Sequence, residues 1–238
     1  MASKGRFRSL QNSVPSINVG NNVIATSTGA RNLGVFFDRH LDMRQHILNT
    51  CRICYFQLRQ LRVICRHLSK DVLKTLLHAF VSTRLDYCNS LLYGLPQCDM
   101  RKLQSVQNAA ARLIGGLRKF DHITILTRDM LHWLPIKQRI NFKIAVLTYK
   151  ALHQQAPCYI TSMCHLASDS SGLICHRSAT NSELIPASWN SVFYGKRSFY
   201  YAAPKVWNSL PVFTRHQNSL AAFTKDLKTV LFNQAYFA

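Results

Sequence analysis

Arg44, Arg52, Arg59, Arg62 and Arg66 stand in a 23-residue stretch that holds no lysine, aspartate or glutamate. On a helix advancing about 100° per residue they fall within a sector of roughly 80°, beside an apolar stripe. Arg52, Arg59 and Arg66 recur every seventh residue, so they mark one line in steps of about 10 Å. A row of guanidinium groups at that spacing can follow a phosphate backbone, because each planar fork matches the oxygens of a phosphate. The competing reading is a solvated face that keeps the helix soluble. The lack of any acid among the arginines favours binding.

A second basic set, Arg101, Lys102, Arg112, Arg118 and Lys119, surrounds the break at Gly115-Gly116. A third comprises Lys137, Arg139, Lys143 and Lys150. The run from Phe193 to Tyr201 mixes aromatic and basic residues and could stack bases, although such rings more often fill a core. Catalytic patterns are missing. The chain has no GxxxxGK[ST], GxGxxG, GxSxG or HExxH motif. Asp38 and Asp42 are the nearest acid pair and would share one helix face, but Asp42 serves equally as a first-turn complement to the helix dipole. His132-Trp133 and Asp121-His122 have no supporting acid/base partners. No catalytic residue is assigned.

Cysteine use gives no metal frame either. One CxxC occurs, Cys51 to Cys54, among eight cysteines, and a zinc site needs a second pair or a histidine pair at set spacing. Both cysteines fall in the apolar stripe of the arginine helix, so core filling is expected, with free thiols and no metal or cofactor.

The chain has 238 residues, a formal net charge of +20 and 47% hydrophobic residues with 11% aromatics. That apolar content excludes an intrinsically disordered chain and allows one large or two small domains. Only Glu183 and nine aspartates oppose 30 lysines and arginines, so internal pairing leaves most cations uncompensated. Polyanions are the natural partners: RNA, DNA or an RNA–DNA hybrid, read through the backbone. No apolar run is long enough to span a bilayer, and membrane partners are not expected. Lys4, Arg6 and Arg8 are followed by no apolar signal segment, which points to nucleus or cytoplasm rather than secretion.

The elements that must position these residues are mainly helical. Residues 1–13 read as a basic, disordered leader. Ile17–Thr26 forms a hairpin pattern around Gly20-Asn21-Asn22, and Leu33–Phe37 a third short strand. Within His40–Arg66, Ile47, Cys51, Cys54, Leu58, Leu61 and Cys65 alternate spacings of four and three, an inward helix stripe. Ser69 is the expected N-cap of a second helix with Val72, Leu73, Leu76, Leu77, Phe80, Val81 and Leu85 inward. Met100–Ile114 makes a third, ended by Gly115-Gly116. Pro135 opens a fourth at its first position, running to about His153. From Ala167 a serine-rich linker leads to an irregular stretch. A helix over Arg197–Leu210 must accommodate Pro204, and Leu220–Phe232 closes the chain as an amphipathic helix. The organisation is therefore 14–38 strands, 39–166 a helical domain, and 167–238 a mixed C-terminal region.

Several longer stretches match a known family in order and spacing. They are Asn32-Leu-Gly-Val-Phe-Phe-Asp38, Arg84-Leu-Asp-Tyr-Cys-Asn-Ser-Leu-Leu-Tyr-Gly-Leu-Pro96, Leu103-Gln-Ser-Val-Gln-Asn-Ala-Ala-Ala-Arg112, Leu131-His-Trp-Leu-Pro135, Arg139-Ile-Asn-Phe-Lys143, Tyr149-Lys-Ala-Leu152, Ala202-Ala-Pro-Lys-Val-Trp-Asn-Ser-Leu-Pro211 and Phe223–Phe232. Over about residues 14–238 the chain resembles the C-terminal part of the reverse transcriptase of non-LTR, LINE-type retrotransposons, near the chicken-repeat and jockey-like group. The resemblance implies that the strands end a palm and that the helices form a thumb gripping template and primer. It also implies two Mg²⁺ ions in the intact enzyme, held by an aromatic-x-Asp-Asp turn and an earlier aspartate. This chain has no Asp-Asp, so it is expected to be a truncated element copy, inactive alone, with palm and fingers as possible missing partners. The alternative is a basic α-helical protein-interaction module with no polymerase role.

Overall fold

The computed structural model describes residues 17–24, 27–169, 182–186, 188 and 194–237. The expected leader, linker residues Ser170, Ser171 and Gly172, and most of 173–193 lie outside the described residues. The chain is mainly helical with small hairpins near its start.

Among the described residues four short strands replace the three expected. β1 (Ile17–Val19) pairs antiparallel with β2 (Asn22–Ile24) across Gly20-Asn21. Gly20 takes φ +58°, a value a residue without Cβ reaches at little cost. The additional strand is β3 (Gly29–Asn32), paired with β4 (Val35–Asp38) in a separate sheet. Ala30, Arg31 and Asn32 are exposed and carry no apolar alternation, so β3 owes its form to its partner rather than to its own side chains. Val35 is buried, and the Tyr87 hydroxyl donates to the Leu33 carbonyl at 2.6 Å, which ties this hairpin to the helices. β1–β2 has no such anchor among its described side chains: Val19, Val23 and Ile24 are all exposed.

The helices are α1 (Arg44–Ile64), α2 (Lys70–Leu77), α3 (Thr83–Asp86), α4 (Gln97–Gly115), α5 (Ile136–Leu152), α6 (Cys158–Thr161), α7 (Phe199–Asn208), α8 (Val212–Arg215) and α9 (Leu220–Tyr236). Ser69 caps α2 as expected, its hydroxyl accepting from Val72 N at 3.4 Å. Between α2 and α3 the chain makes a π turn at His78–Ser82. The wider turn keeps Leu73, Leu77, Val81 and Leu85 in one buried line at intervals of four. Phe80, expected inward, is therefore exposed; Val72, also expected inward, is exposed in the first turn of α2.

Proline marks helix entry more often than expected. Pro135 occupies the N-cap of α5 rather than its first helical position, and Pro96, Pro157 and Pro211 do the same for α4, α6 and α8. Each sits near ψ 150°, directing the chain into the helix without needing an N–H. Pro204 does lie inside α7, and the residue whose carbonyl loses a partner there, Tyr200, is exposed.

One hydrophobic core runs from Val35 to Leu231. α5 is its hub, packing on α4, α7 and α9. The core therefore crosses residue 167: Trp207, Phe223 and Leu227 from the C-terminal region pack with Tyr149 and its neighbours.

Candidate nucleic-acid interface

α1 carries Arg44, Arg52, Arg59 and Arg62, and Arg66 follows in the 3₁₀ turn Cys65–His67. The expected start near residue 40 moves to Arg44, because Leu41 and Met43 adopt left-handed backbone, φ 52° and 55°. The Asp38 carboxylate accepts Asp42 N–H at 2.7 Å in the turn before the helix. Asp38 and Asp42 are thus joined in a turn and share no helix face, and the first turn of α1 holds no acid. The apolar stripe is as read: Ile47, Cys51, Cys54, Leu58 and Leu61 are buried, while Cys65 is half-buried.

All five arginines of the row are exposed, and their sector reaches from the edge of the buried stripe to the outer face. At about 100° per residue Arg44 and Arg62 border the buried stripe, whereas Arg52 and Arg59 lie roughly 120–140° from its middle. The border residues meet α4. Arg44 Nε stands 3.8 Å from Asp99, which is buried and also binds Lys102 Nζ at 2.7 Å. At the other end Tyr55, Arg62 and Cys65 of this segment line a cleft of about 850 Å³ with Arg112, Arg118 and Lys119. Start beside start and end beside end, α1 and α4 run parallel.

Parallel packing brings two of the basic sets together. Arg62 comes from the first, and Arg112, Arg118 and Lys119 from the second, with no acid lining the cleft among the described residues. Gly116, at φ +63°, ends α4 and returns its N–H to the Arg112 carbonyl. The turn releases Arg118-Lys119 at the helix end. Two helix C-termini here contribute about half a negative charge each, which attracts cations. Four cations exceed that demand, so a positive surplus remains.

The ion pairs fall elsewhere. Among the described residues Asp99, Asp71, Asp129, Asp86 and Glu183 pair with Arg44 and Lys102, Lys74, Arg128, Arg139 and Arg215 respectively. Among the described residues no ion pair reaches Arg52, Arg59, Arg62, Arg66, Arg112, Arg118 or Lys119. Asp121, the nearest acid in sequence, gives its carboxylate to Arg118 N–H at 2.7 Å. Arg44 and Lys102 of the expected set are therefore partly neutralised. Arg139 is structural, donating to Asp86 at 2.7 Å and to the Leu134 carbonyl at 2.9 Å.

Arg101 faces a second, larger pocket of about 990 Å³, shared with Lys137, Lys196, Arg197, Lys205 and Tyr201. Asn108 lines both spaces, so they meet along α4. Arg101, Lys137 and the Lys196-Arg197 pair come from three separate basic stretches of the sequence, and Lys205 belongs to none of them. Lys196, Arg197 and Lys205 reach the pocket only through the packing of α7, which leaves no local pattern. Arg197 Nη2 donates to the Leu41 carbonyl and braces the turn before α1. Burial pulls its pKa down, opposed by Asp42 and Asp38. Of the aromatic-basic run, Phe193 lies outside the described residues, Phe199 packs against the core, and Tyr200 is exposed.

The CxxC thiols belong to the core. Burial, with the neighbouring Cys51, pushes Cys54 up to about 11, and burial does the same to Cys164. At pH 8 a thiol of that kind is ionised to only about one part in a thousand. In native protein at pH 8, iodoacetamide should modify the exposed Cys98 and Cys158 and spare Cys54 and Cys164 until denaturant is added. Peptide mass spectrometry showing Cys54 labelled as fast as Cys98 would remove it from the core.

Among the described residues no three His, Cys, Asp or Glu side chains are placed to share a metal ion. His132 packs near Phe232, with ring centroids 6.0 Å apart. No helix among the described residues is long and apolar enough to cross a membrane. No family model, curated protein or solved structure matches the chain.

Proposed function

We propose that this chain binds nucleic-acid backbone as a helical, thumb-like region of the kind found in non-LTR retrotransposon reverse transcriptases, and that it does not polymerise by itself. The observation that supports the reading is the convergence of Arg62, Arg112, Arg118 and Lys119 on one acid-free cleft, beside the exposed Arg52 and Arg59. Residues about fifty positions apart meet there only because α1 and α4 are parallel. A surplus of cations at a concave surface concentrates field and favours a polyanion.

A second reading, the protein-interaction module, is favoured by Leu48, Phe56 and Val63, which are exposed between the arginines of α1. The two readings separate on salt. Binding to a labelled RNA–DNA hybrid, followed by fluorescence anisotropy, should weaken with log salt at a slope of about −3 or steeper, each phosphate contact contributing about 0.9. Primer extension with Mg²⁺ on the same hybrid should give no incorporation. Absence of hybrid binding at low salt would rule out the first reading, and incorporation surviving repurification would rule out inactivity.

A further inference from the structure

The cleft at the ends of α1 and α4 differs in shape from the arginine row. Arg52 and Arg59 stand on the convex outer face of a helix, whereas Arg62, Arg112, Arg118 and Lys119 surround a concavity of about 850 Å³. The space over Gly116 is open, with nothing within 4 Å of where a Cβ would stand. Arg112 Nε is buried and has no hydrogen-bond partner among the described residues, and Arg112 Nη2 reaches only the Asp121 carbonyl at 3.4 Å. That one long contact leaves most of the guanidinium's outer N–H donors for an anion entering the cleft.

The geometry points to a seat for a phosphate monoester at the end of a nucleic-acid strand. The inference rests on the nucleic-acid reading above and specifies which part of the strand the cleft takes. An internal phosphodiester carries one charge, and its two ester arms must leave in opposite directions, which suits a convex row. A terminal monoester carries about −1.5 to −2 near neutrality, offers three free oxygens and leaves by one arm. Four cations around a concavity match that group: each added charge-assisted hydrogen bond discriminates further, and bidentate arginine forks suit its oxygens. Tyr55, 40% exposed on the cleft wall, offers a ring face to the base that follows the phosphate.

The test compares one single-stranded oligonucleotide in three forms: 5′-phosphorylated, 3′-phosphorylated and with hydroxyls at both ends. Binding to the full chain is measured by anisotropy at constant ionic strength. A phosphorylated form should bind about tenfold more tightly than the hydroxyl form, the worth of one strong charge-assisted hydrogen bond. Millimolar inorganic phosphate should erase that preference while leaving hydroxyl-strand binding in place. The variant R118Q/K119Q should lose the preference too; both residues are exposed beyond the end of α4, and an unchanged melting temperature confirms the fold. Equal affinity for all three forms overturns the seat while nucleic-acid binding stands. Failure of all three to bind overturns the seat and the nucleic-acid reading together. Binding of inorganic phosphate with no preference among the strands also overturns it, since the cleft would then take a small anion.

Discussion

Replacing Trp207 with alanine should lower the free energy of unfolding by about 3–5 kcal/mol, the range for a large aromatic removed from a core. Trp207 is 1% exposed. Its ring lies 5.7 Å from that of Phe223, which in turn stacks on Tyr149 at 4.4 Å. Three helices, α7, α9 and α5, thus meet through three rings. The indole N–H donates to the Ser182 carbonyl at 2.8 Å, and Asn208 one residue on holds both the N–H and the carbonyl of Leu184. Removing the indole empties the junction and frees the segment before α7. Trp207→Phe keeps most of the apolar area and loses the N–H bond, so about 1–2 kcal/mol is expected for that control. Urea melts followed by circular dichroism measure both. A loss below about 1 kcal/mol for Trp207→Ala would mean that α7 and α9 do not share the core of α5.

The fold class was legible because the helices of this chain wear their faces openly. The alternation of fours and threes from Ile47 to Leu61 is a local property, and the buried residues of α1 follow it. Where local pattern and backbone disagree, the pattern misleads. Phe80 fits an inward stripe only on an unbroken α-helix, and the π turn at His78–Ser82 shifts it outward. β3 carries no apolar signal because its pairing with β4, and not its burial, defines it. The cleft was legible only in halves. Arg62 and the Arg112–Lys119 set were both visible as basic, but nothing local says that they meet. Their meeting depends on the direction in which α4 packs on α1, and buried Asp99 holds the two starts together. An aspartate between basic residues in sequence does not announce that it will be buried against an arginine 55 positions earlier. Lys102 shows the converse: it reads as one more cation of a basic patch, yet its ammonium is held by Asp99.

Two triple variants should divide the electrostatics of binding between the row and the cleft. Arg52 and Arg59 lie about 10 Å apart along α1, about three nucleotides of one strand at 3.4 Å each, and Arg66 follows in the 3₁₀ turn after it. Replacing them by glutamine changes helix propensity little, so α1 should persist. If each meets one phosphate, the slope of log affinity against log salt should fall in magnitude by about 0.9 per residue, or up to roughly 2.7 for the set. The variant R62Q/R118Q/K119Q removes the same number of charges from the cleft. It spares Arg112, whose side chain is half-buried and bonded to the Asp121 carbonyl. On a long hybrid the row should carry more of the slope, since a continuous backbone can run along α1 past Arg52 and Arg59 to Arg66 in the turn beyond it. On a short phosphorylated single strand the cleft variant should show the larger loss. Anisotropy titrations at four or five salt concentrations, with circular dichroism to verify helicity, measure both slopes. Unchanged affinity and slope in the row variant, with helix intact, would reduce Arg52, Arg59 and Arg66 to a solvated face. The cleft would then be left as the binding surface. The opposite split, with loss only in the row variant on every substrate, would make the cleft cations partners of the two helix C-termini and nothing more.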